Sequence, residues 1–160
     1  MEARFNYMKA APGAFKAMLG IGKYLDECGL EESLLNLVKL RASQINGCAY
    51  CLDLHWKDSR AGGENEQRLY SLDAWRESPF YTARECAALE WTEAVTLIAN
   101  GHVPDEVYED ARLQFTEKEL SDLTLAVVVI NGWNRFNRAA RTVPGDYQPA
   151  RPHHIETVRG

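Results

Sequence analysis

Between residues 13 and 28 the apolar positions Phe15, Met18, Leu19 and Leu25 recur at spacings that predict a helix, with Gly29 as its stop. A second helix is predicted from about Glu31 to Ile45. Leu34, Val38, Ala42 and Ile45 share one face, Leu35 and Leu37 widen it, and two acidic residues suit the positive end of its dipole. Asn46-Gly47 breaks the pattern, so a third helix starts at or near Cys48 and runs to about Arg60, ahead of Ala61-Gly62-Gly63. Residues 64–75 read as a short helix. Thr82 and Glu85 have the spacing of a capping box, opening a helix with Ala88, Trp91, Val95 and Ile98 on one face that closes near Gly101. Pro104 with Asp105 and Glu106 suits the first turn of another short helix. Thr116 and Glu119 repeat the capping box before "LSDLTLAVVVINGWNRFNRAAR". Its "AVVVI" core also fits a buried strand, but length and the preceding cap favour helix. From Thr142 onward Pro144, Gly145, Pro149 and Pro152 predict an irregular tail, free to lie on a neighbouring subunit. The expectation is an all-α fold: one domain of six to eight helices over residues 1–141, and a tail over 142–160.

The 160 residues suit a single core, and a 46% hydrophobic and 26% charged composition is that of an ordinary globular chain. A net charge of -5 and a pI near 5.4 argue against a nucleic-acid partner or an anionic membrane surface. No apolar run approaches the roughly 18 residues needed to span a bilayer, and "MEARFNYMKAAPGAFKAM" lacks the apolar core of a secretion signal. Four cysteines do not suggest a disulfide-stapled secreted scaffold. The expected location is cytoplasmic, where a close cysteine pair points to redox or metal chemistry.

That pair lies in "QINGCAYCLDLH", residues 44–55. If Gly47 ends one helix, Cys48 and Cys51 fall in the first turn of the next, where unpaired N–H groups and the dipole favour a thiolate. At about 100° per residue, Cys48, Cys51 and His55 share one stripe, and His55 can reach Cys51 as a proton acceptor. Three readings compete: a redox-active dithiol, a metal site, or two buried apolar cysteines with a packing histidine. The helix-start placement favours the dithiol. A metal would need a fourth ligand, and His102, His153 and His154 are distant with no ligand-like spacing. A thioredoxin-like reading lacks its α/β pattern.

"LVKLRASQINGCAYCLDLH" resembles the signature of the AhpD-like alkylhydroperoxidase group within the carboxymuconolactone decarboxylase superfamily. "AALEWTEAVTLI" and "VPDEVYEDARLQFTEKELSDLTLAVVVINGWNRFNRAAR" extend the likeness over about residues 13–141. The resemblance implies a single-domain helical bundle that assembles into homotrimers or homohexamers and reduces peroxides through a cysteine disulfide. It implies Cys51 as the attacking thiolate, Cys48 as the resolving thiol and His55 as part of a proton relay. It implies no bound cofactor, but an external thiol or a lipoyl-bearing partner as reductant. The decarboxylase branch lacks the cysteine pair.

The chain departs from that pattern where the group carries a relay glutamate twelve residues before the first cysteine. Here the residue is Asn36, which cannot take a proton at neutral pH. Tyr50 replaces a histidine found between the cysteines in some relatives. Glu93, one turn after Leu89 and one before Leu97, is the candidate substitute: an apolar stripe would raise its pKa toward a general base. The competing reading pairs Glu93 with an arginine. Glu90 is its nearest competitor, and Asp53 is expected in solvent. Asn134, Arg135 and Asn137 lie on the last predicted helix, with Arg135 read as an inter-subunit ion pair ahead of an anion-binding group. Cys28 and Cys86 read as small apolar residues, and the four tryptophans as core or interface anchors. Asn36 also motivates a second reading of the whole chain, a redox-sensing or structural oligomer whose dithiol oxidises without turnover; a zinc-binding module is the third.

Overall fold

The structure is a computed structural model, and it describes residues 2–149. Among these residues it contains eight α-helices, two short 3-10 turns and no strand. The helices are α1 (Tyr7–Ala10), α2 (Pro12–Asp26), α3 (Glu32–Ile45), α4 (Ala49–Ala61), α5 (Glu66–Tyr70), α6 (Ala83–Thr96), α7 (Asp105–Gln114) and α8 (Glu117–Ala140). The 3-10 turns cover Leu72–Glu77 and Ile98–Asn100.

The all-α expectation holds, and both capping boxes form. Thr82 accepts from the Glu85 N–H and Thr116 from the Glu119 N–H, while each glutamate reaches back to the capping residue's own N–H. The "AVVVI" segment is helical: Val127 and Val129 are buried and Val128 is exposed, a distribution that follows helical rotation through a bundle. Three local expectations fail. A short helix α1 precedes the first predicted one. Residues 64–75 split at Ser71 into α5 and the 3-10 turn from Leu72, and within that turn the backbone leaves helical geometry at Ala74. Ile98, placed on the apolar face of α6, falls beyond that helix and is exposed.

Helix α3 is the central element, packing against α4, α6 and α8. Its Leu34, Leu35, Leu37, Val38, Leu40 and Ala42 are all buried, so it has apolar neighbours on nearly every side. Leu34, Leu35 and Val38 join Ala88 and Trp91 of α6 and Leu123, Ala126 and Val127 of α8 in the main core. Leu37 and Leu40 instead meet Leu69, Leu72, Trp75 and Leu89. A third, small cluster holds Ala42, Cys48, Cys51 and Ile130, with Tyr50 and Trp133 at its edge. The cysteine pair thus sits where α3 turns into α4 and α8 crosses both. Cys28 and Cys86 are partly buried against the first two cores.

Residues 142–149 form no helix or strand and run back over α4 of the same chain. Asp53 accepts from the Gly145 N–H at 3.1 Å and from Lys57 Nζ at 2.9 Å. Lys57 also donates to the carbonyls of Gly145 and Tyr147, and the Tyr147 hydroxyl donates to Asp58. Asp53 is therefore an anchor for the tail rather than a free solvated carboxylate. His153 and His154 lie outside the described residues.

Candidate functional site: a dithiol at the start of α4

Helix α3 ends at Ile45, and the chain reverses through Gly47, whose φ of +61° lies in the left-handed region that glycine occupies without a Cβ penalty. Cys48 follows as the N-cap residue of α4, in extended backbone, and Cys51 sits in the first turn. Their Sγ atoms are 2.6 Å apart, near enough to close into a disulfide with little movement. Both residues are almost fully buried, at 1% and 2% exposure.

The polar groups that meet the sulfurs come from α8. On that helix Asn131, Asn134 and Asn137 recur every three residues, so their side chains stack toward the α3–α4 turn. Asn46 Nδ2 donates to Asn131 Oδ1 at 3.0 Å and to Asn134 Oδ1 at 2.8 Å. Asn134 Nδ2 donates to Ser43 Oγ at 3.0 Å. Asn137 Nδ2 donates to the Trp133 carbonyl at 3.0 Å and approaches Cys51 Sγ at 3.4 Å. A carbonyl only accepts, so that contact fixes which end of the Asn137 amide faces it; the other end, Oδ1, accepts from the Tyr7 hydroxyl at 3.2 Å. Tyr7 enters from α1 within an aromatic group of Phe15, Trp133 and Phe136. Arg138, one turn on from Asn134, donates through Nη1 to the carbonyls of Asn46 and Gly47, the latter at 3.1 Å.

These surroundings divide the two sulfurs. Cys48 is lowered to about 7 by the Cys51 thiol beside it, against the opposing effect of burial, with further help from the Cys51 amide, Asn134 and the Arg138 charge. Cys51 is pushed up by the Cys48 sulfur and by burial. The two thiols titrate as one coupled pair, in which loss of the first proton makes loss of the second harder.

His55 does not join this group. Its ring makes no hydrogen bond to either sulfur, its buried Nδ1 has no hydrogen-bond partner, and Asp58 Oδ2 lies 3.8 Å away. Burial, then the Lys39 charge, brings its pKa down to about 3, so the imidazole is neutral across the physiological range. Asn36 is also buried; it lines a cleft of about 550 Å³ with Lys39, Asp58 and Tyr147. Glu93 has an environment opposite to the expected one. Burial would raise its pKa, but hydrogen bonds from Trp75, Arg76 and Arg41 outweigh it and hold the carboxyl below its ordinary value. Trp75 Nε1 and Arg41 Nε both donate to Oε1 at 2.8 Å, and Arg76 takes Oε2. Glu93 is thus an ion-paired carboxylate tying α3, α6 and the 72–77 turn together. Glu90 pairs with Arg76 at 3.2 Å, and Arg135 donates to Asn131.

Sequence reasoning found both cysteines and pointed to Asn134 and Asn137. It missed Tyr7, Ser43, Asn46, Asn131 and Arg138. The asparagines had a signal, a polar residue every three positions on a helix otherwise apolar on that side. Tyr7 had none, because only the fold brings it to the pair.

The model of the family described as "Carboxymuconolactone decarboxylase family" matches residues 12–94. The chain is 43% identical over 145 residues to the uncharacterized protein YdfG of Bacillus subtilis (strain 168), a match covering 88% of this chain and 99% of that one. It is similar to the crystal structure of a protein of unknown function from Agrobacterium tumefaciens, described as a candidate antioxidant defence protein AhpD. That likeness has a TM-score of 0.88 at 44% identity and covers 91% of this chain and 100% of the other. The debrominase Bmp8 in its apo form shares the fold at a TM-score of 0.76 and 20% identity, over 87% of this chain and 75% of its own. With the two cysteines at the head of α4 and these relatives on both sides of the match, the chain belongs to the carboxymuconolactone decarboxylase family as an AhpD-like member.

Proposed function

We propose that the protein is a thiol-dependent peroxidase that reduces alkyl or hydrogen peroxides through a Cys48–Cys51 disulfide cycle. The observation that carries this reading is the pair itself: two sulfurs 2.6 Å apart at the start of a helix, one of them ionised near neutral pH. A thiolate attacks the terminal oxygen of the peroxide, the O–O bond breaks, and an alcohol or water leaves as a sulfenic acid forms. The second sulfur then attacks the sulfenic sulfur, forming the disulfide and releasing water. Two electrons from an external thiol or a lipoyl-bearing partner restore the dithiol. The chemistry is the same in either order of the two sulfurs. No resident cofactor or metal enters this cycle.

A cleft of about 440 Å³ lined by Asn46, Asn134, Arg135, Arg138 and Ala139 opens beside the Cys48 turn and supports an approach from that side. A homotrimer or homohexamer is part of the proposal, supported by Ile98 and Val128, exposed at 57% and 55% along one apolar groove with Val95. A cytoplasmic, reducing location fits the dithiol; no helix among the described residues is long and apolar enough to cross a membrane.

A second reading has its own support. With Asn36 in place of a relay glutamate, His55 unprotonated and unbonded to sulfur, and Glu93 held by two arginines, no side chain stands as a proton relay at the pair. A dithiol without a relay can oxidise once and serve as a redox sensor. Steady-state peroxide consumption with dithiothreitol or a lipoyl donor separates the two. Continued turnover supports the peroxidase, and a single equivalent consumed with no further loss supports the sensor.

A further inference from the structure

We infer that the cleft beside the Cys48 turn is a subsite for a negatively charged group, and that the peroxide it serves is a small hydroperoxide carrying a carboxylate, held by Arg135 and Arg138. That substrate class presupposes the peroxidase reading; the binding of the anion does not.

Arg135 and Arg138 leave the C-terminal part of α8 at helix-neighbour spacing, and with Asn46, Asn134 and Ala139 they line the cleft of about 440 Å³. Each guanidinium is tied down by one nitrogen. Arg138 Nη1 donates to the carbonyls of Asn46 and Gly47, and Arg135 Nη1 donates to the carbonyl and Oδ1 of Asn131. Nε and Nη2 of both side chains meet no acceptor among the described residues. Those two nitrogens form the edge of a guanidinium that takes a carboxylate through two parallel hydrogen bonds.

The charge at this cleft is uncompensated. Arg41, Arg68, Arg76, Arg84 and Arg112 each have a carboxylate partner. Arg135 and Arg138 have none among the described residues, and no acidic residue lines the cleft. Arg4, also without a carboxylate partner there, stands at the rim, where its Nη1 donates to the Ala139 carbonyl at 3.5 Å. The negative end of the α8 dipole draws cations to this region. Its terminal carbonyls at Ala139 and Ala140 are bonded by Arg4, however, so they do not account for the free edges of Arg135 and Arg138.

The volume suits one ring-sized molecule rather than a polymer. Because Arg138 binds the two peptide groups immediately before Cys48, an anion on its free edge stands at the turn that carries the dithiol. The carboxylate takes no part in the bond changes. The O–O bond breaks as in the cycle above, the disulfide and water form, and the corresponding hydroxy acid leaves.

Binding can be read without turnover. The full chain is titrated with 4-isopropylbenzoate, which has no peroxide group, and with the neutral 4-isopropylbenzamide, while the arginine Nε–Hε signals are followed by NMR. The benzoate binds and moves the Arg135 and Arg138 signals, the amide does not, and added salt weakens the binding. Arg135 is exposed, so its replacement leaves the turn held by Arg138 in place. Arg135→Gln weakens benzoate binding about tenfold, the low end for a hydrogen bond to a charged group. Arg135→Lys restores part of the loss, because the charge returns without the fork. In turnover, the 4-carboxy derivative of cumene hydroperoxide has a kcat/KM about tenfold above that of cumene hydroperoxide itself, with the difference in KM. Arg135→Gln shrinks that preference. Benzoate binding with no peroxide consumed keeps the subsite and overturns the peroxidase reading. Reduction of both peroxides at equal kcat/KM, with no benzoate binding, overturns the subsite and leaves the peroxidase standing. Arginine signals unmoved by the benzoate, as when a second copy of the chain already pairs with them, also overturn it.

Discussion

Replacing Glu93 by glutamine separates a structural carboxylate from a catalytic one. In the folded chain Oε1 accepts from both Trp75 Nε1 and Arg41 Nε, and Oε2 accepts from Arg76. A glutamine keeps an oxygen for Trp75 and Arg41 but turns its NH2 toward the Arg76 guanidinium, donor against donor. A hydrogen bond to a charged group contributes about 1.5–3 kcal/mol. The Arg76 side chain is half exposed, so its bond falls below that range, and the loss of charge weakens the Arg41 bond as well. Together Glu93→Gln should cost about 2 kcal/mol, which for a domain of this size lowers the melting temperature by about 4–8 °C. The pH dependence has a definite sign. Glu93 titrates below its ordinary value when folded, so its stabilisation is complete above the ordinary glutamate pKa of about 4.3. It shrinks as pH falls from there and is gone below the lowered folded value. The gap between wild type and variant, measured by thermal unfolding at a series of pH values, should therefore close in acid. The rate of disulfide formation after peroxide should be unchanged. A tenfold slower rate with an unaltered melting temperature would refute this reasoning and return Glu93 to the proton relay.

Tyr7→Phe removes the donor to the buried Asn137 Oδ1 and should cost about 1–3 kcal/mol in urea unfolding; no change in midpoint would mean that this hydrogen bond does not hold the α8 amide. His55, neutral down to about pH 3, should show no imidazole titration between pH 5 and 8 by NMR. Because the unfolded chain protonates this histidine near 6.5, its linkage should remove up to about 1.4 kcal/mol of stability per pH unit as pH falls from there toward the folded value. A ring that titrates near 6.5 in the folded protein contradicts both statements. Thr116→Ala, which removes the cap of the helix carrying Asn134, Asn137 and Arg138, should cost about 1 kcal/mol and lower the melting temperature by about 2–4 °C. An unchanged melting temperature would count against the cap.

The elements that could be read from the chain were those whose signals are local. Capping boxes at Thr82 and Thr116 and the break at Gly47 fixed helix starts because each is decided by residues within one turn. Cys48 and Cys51 could be placed at the head of α4 for the same reason. The role proposed for Glu93 depended on what lies across from it. An apolar stripe on its own helix suggested a raised pKa, but Arg41 and Arg76 come from other elements and reverse the sign. His55 shares the cysteine stripe in a helical projection, yet one turn of α4 is enough to carry its ring into the packing beside Lys39 and Asp58, out of hydrogen-bonding reach of the sulfurs. Tyr7 and Arg138 lie more than forty and eighty residues from Cys48, and no pattern on their own segments points to it.

The most direct test mixes the reduced protein with one equivalent of cumene hydroperoxide in a stopped-flow instrument and maps the product by mass spectrometry. The account predicts loss of one peroxide and two thiols per chain, a Cys48–Cys51 disulfide, and no disulfide in Cys48→Ser or Cys51→Ser. Full retention of the Cys48 and Cys51 thiols after the peroxide is added would contradict it.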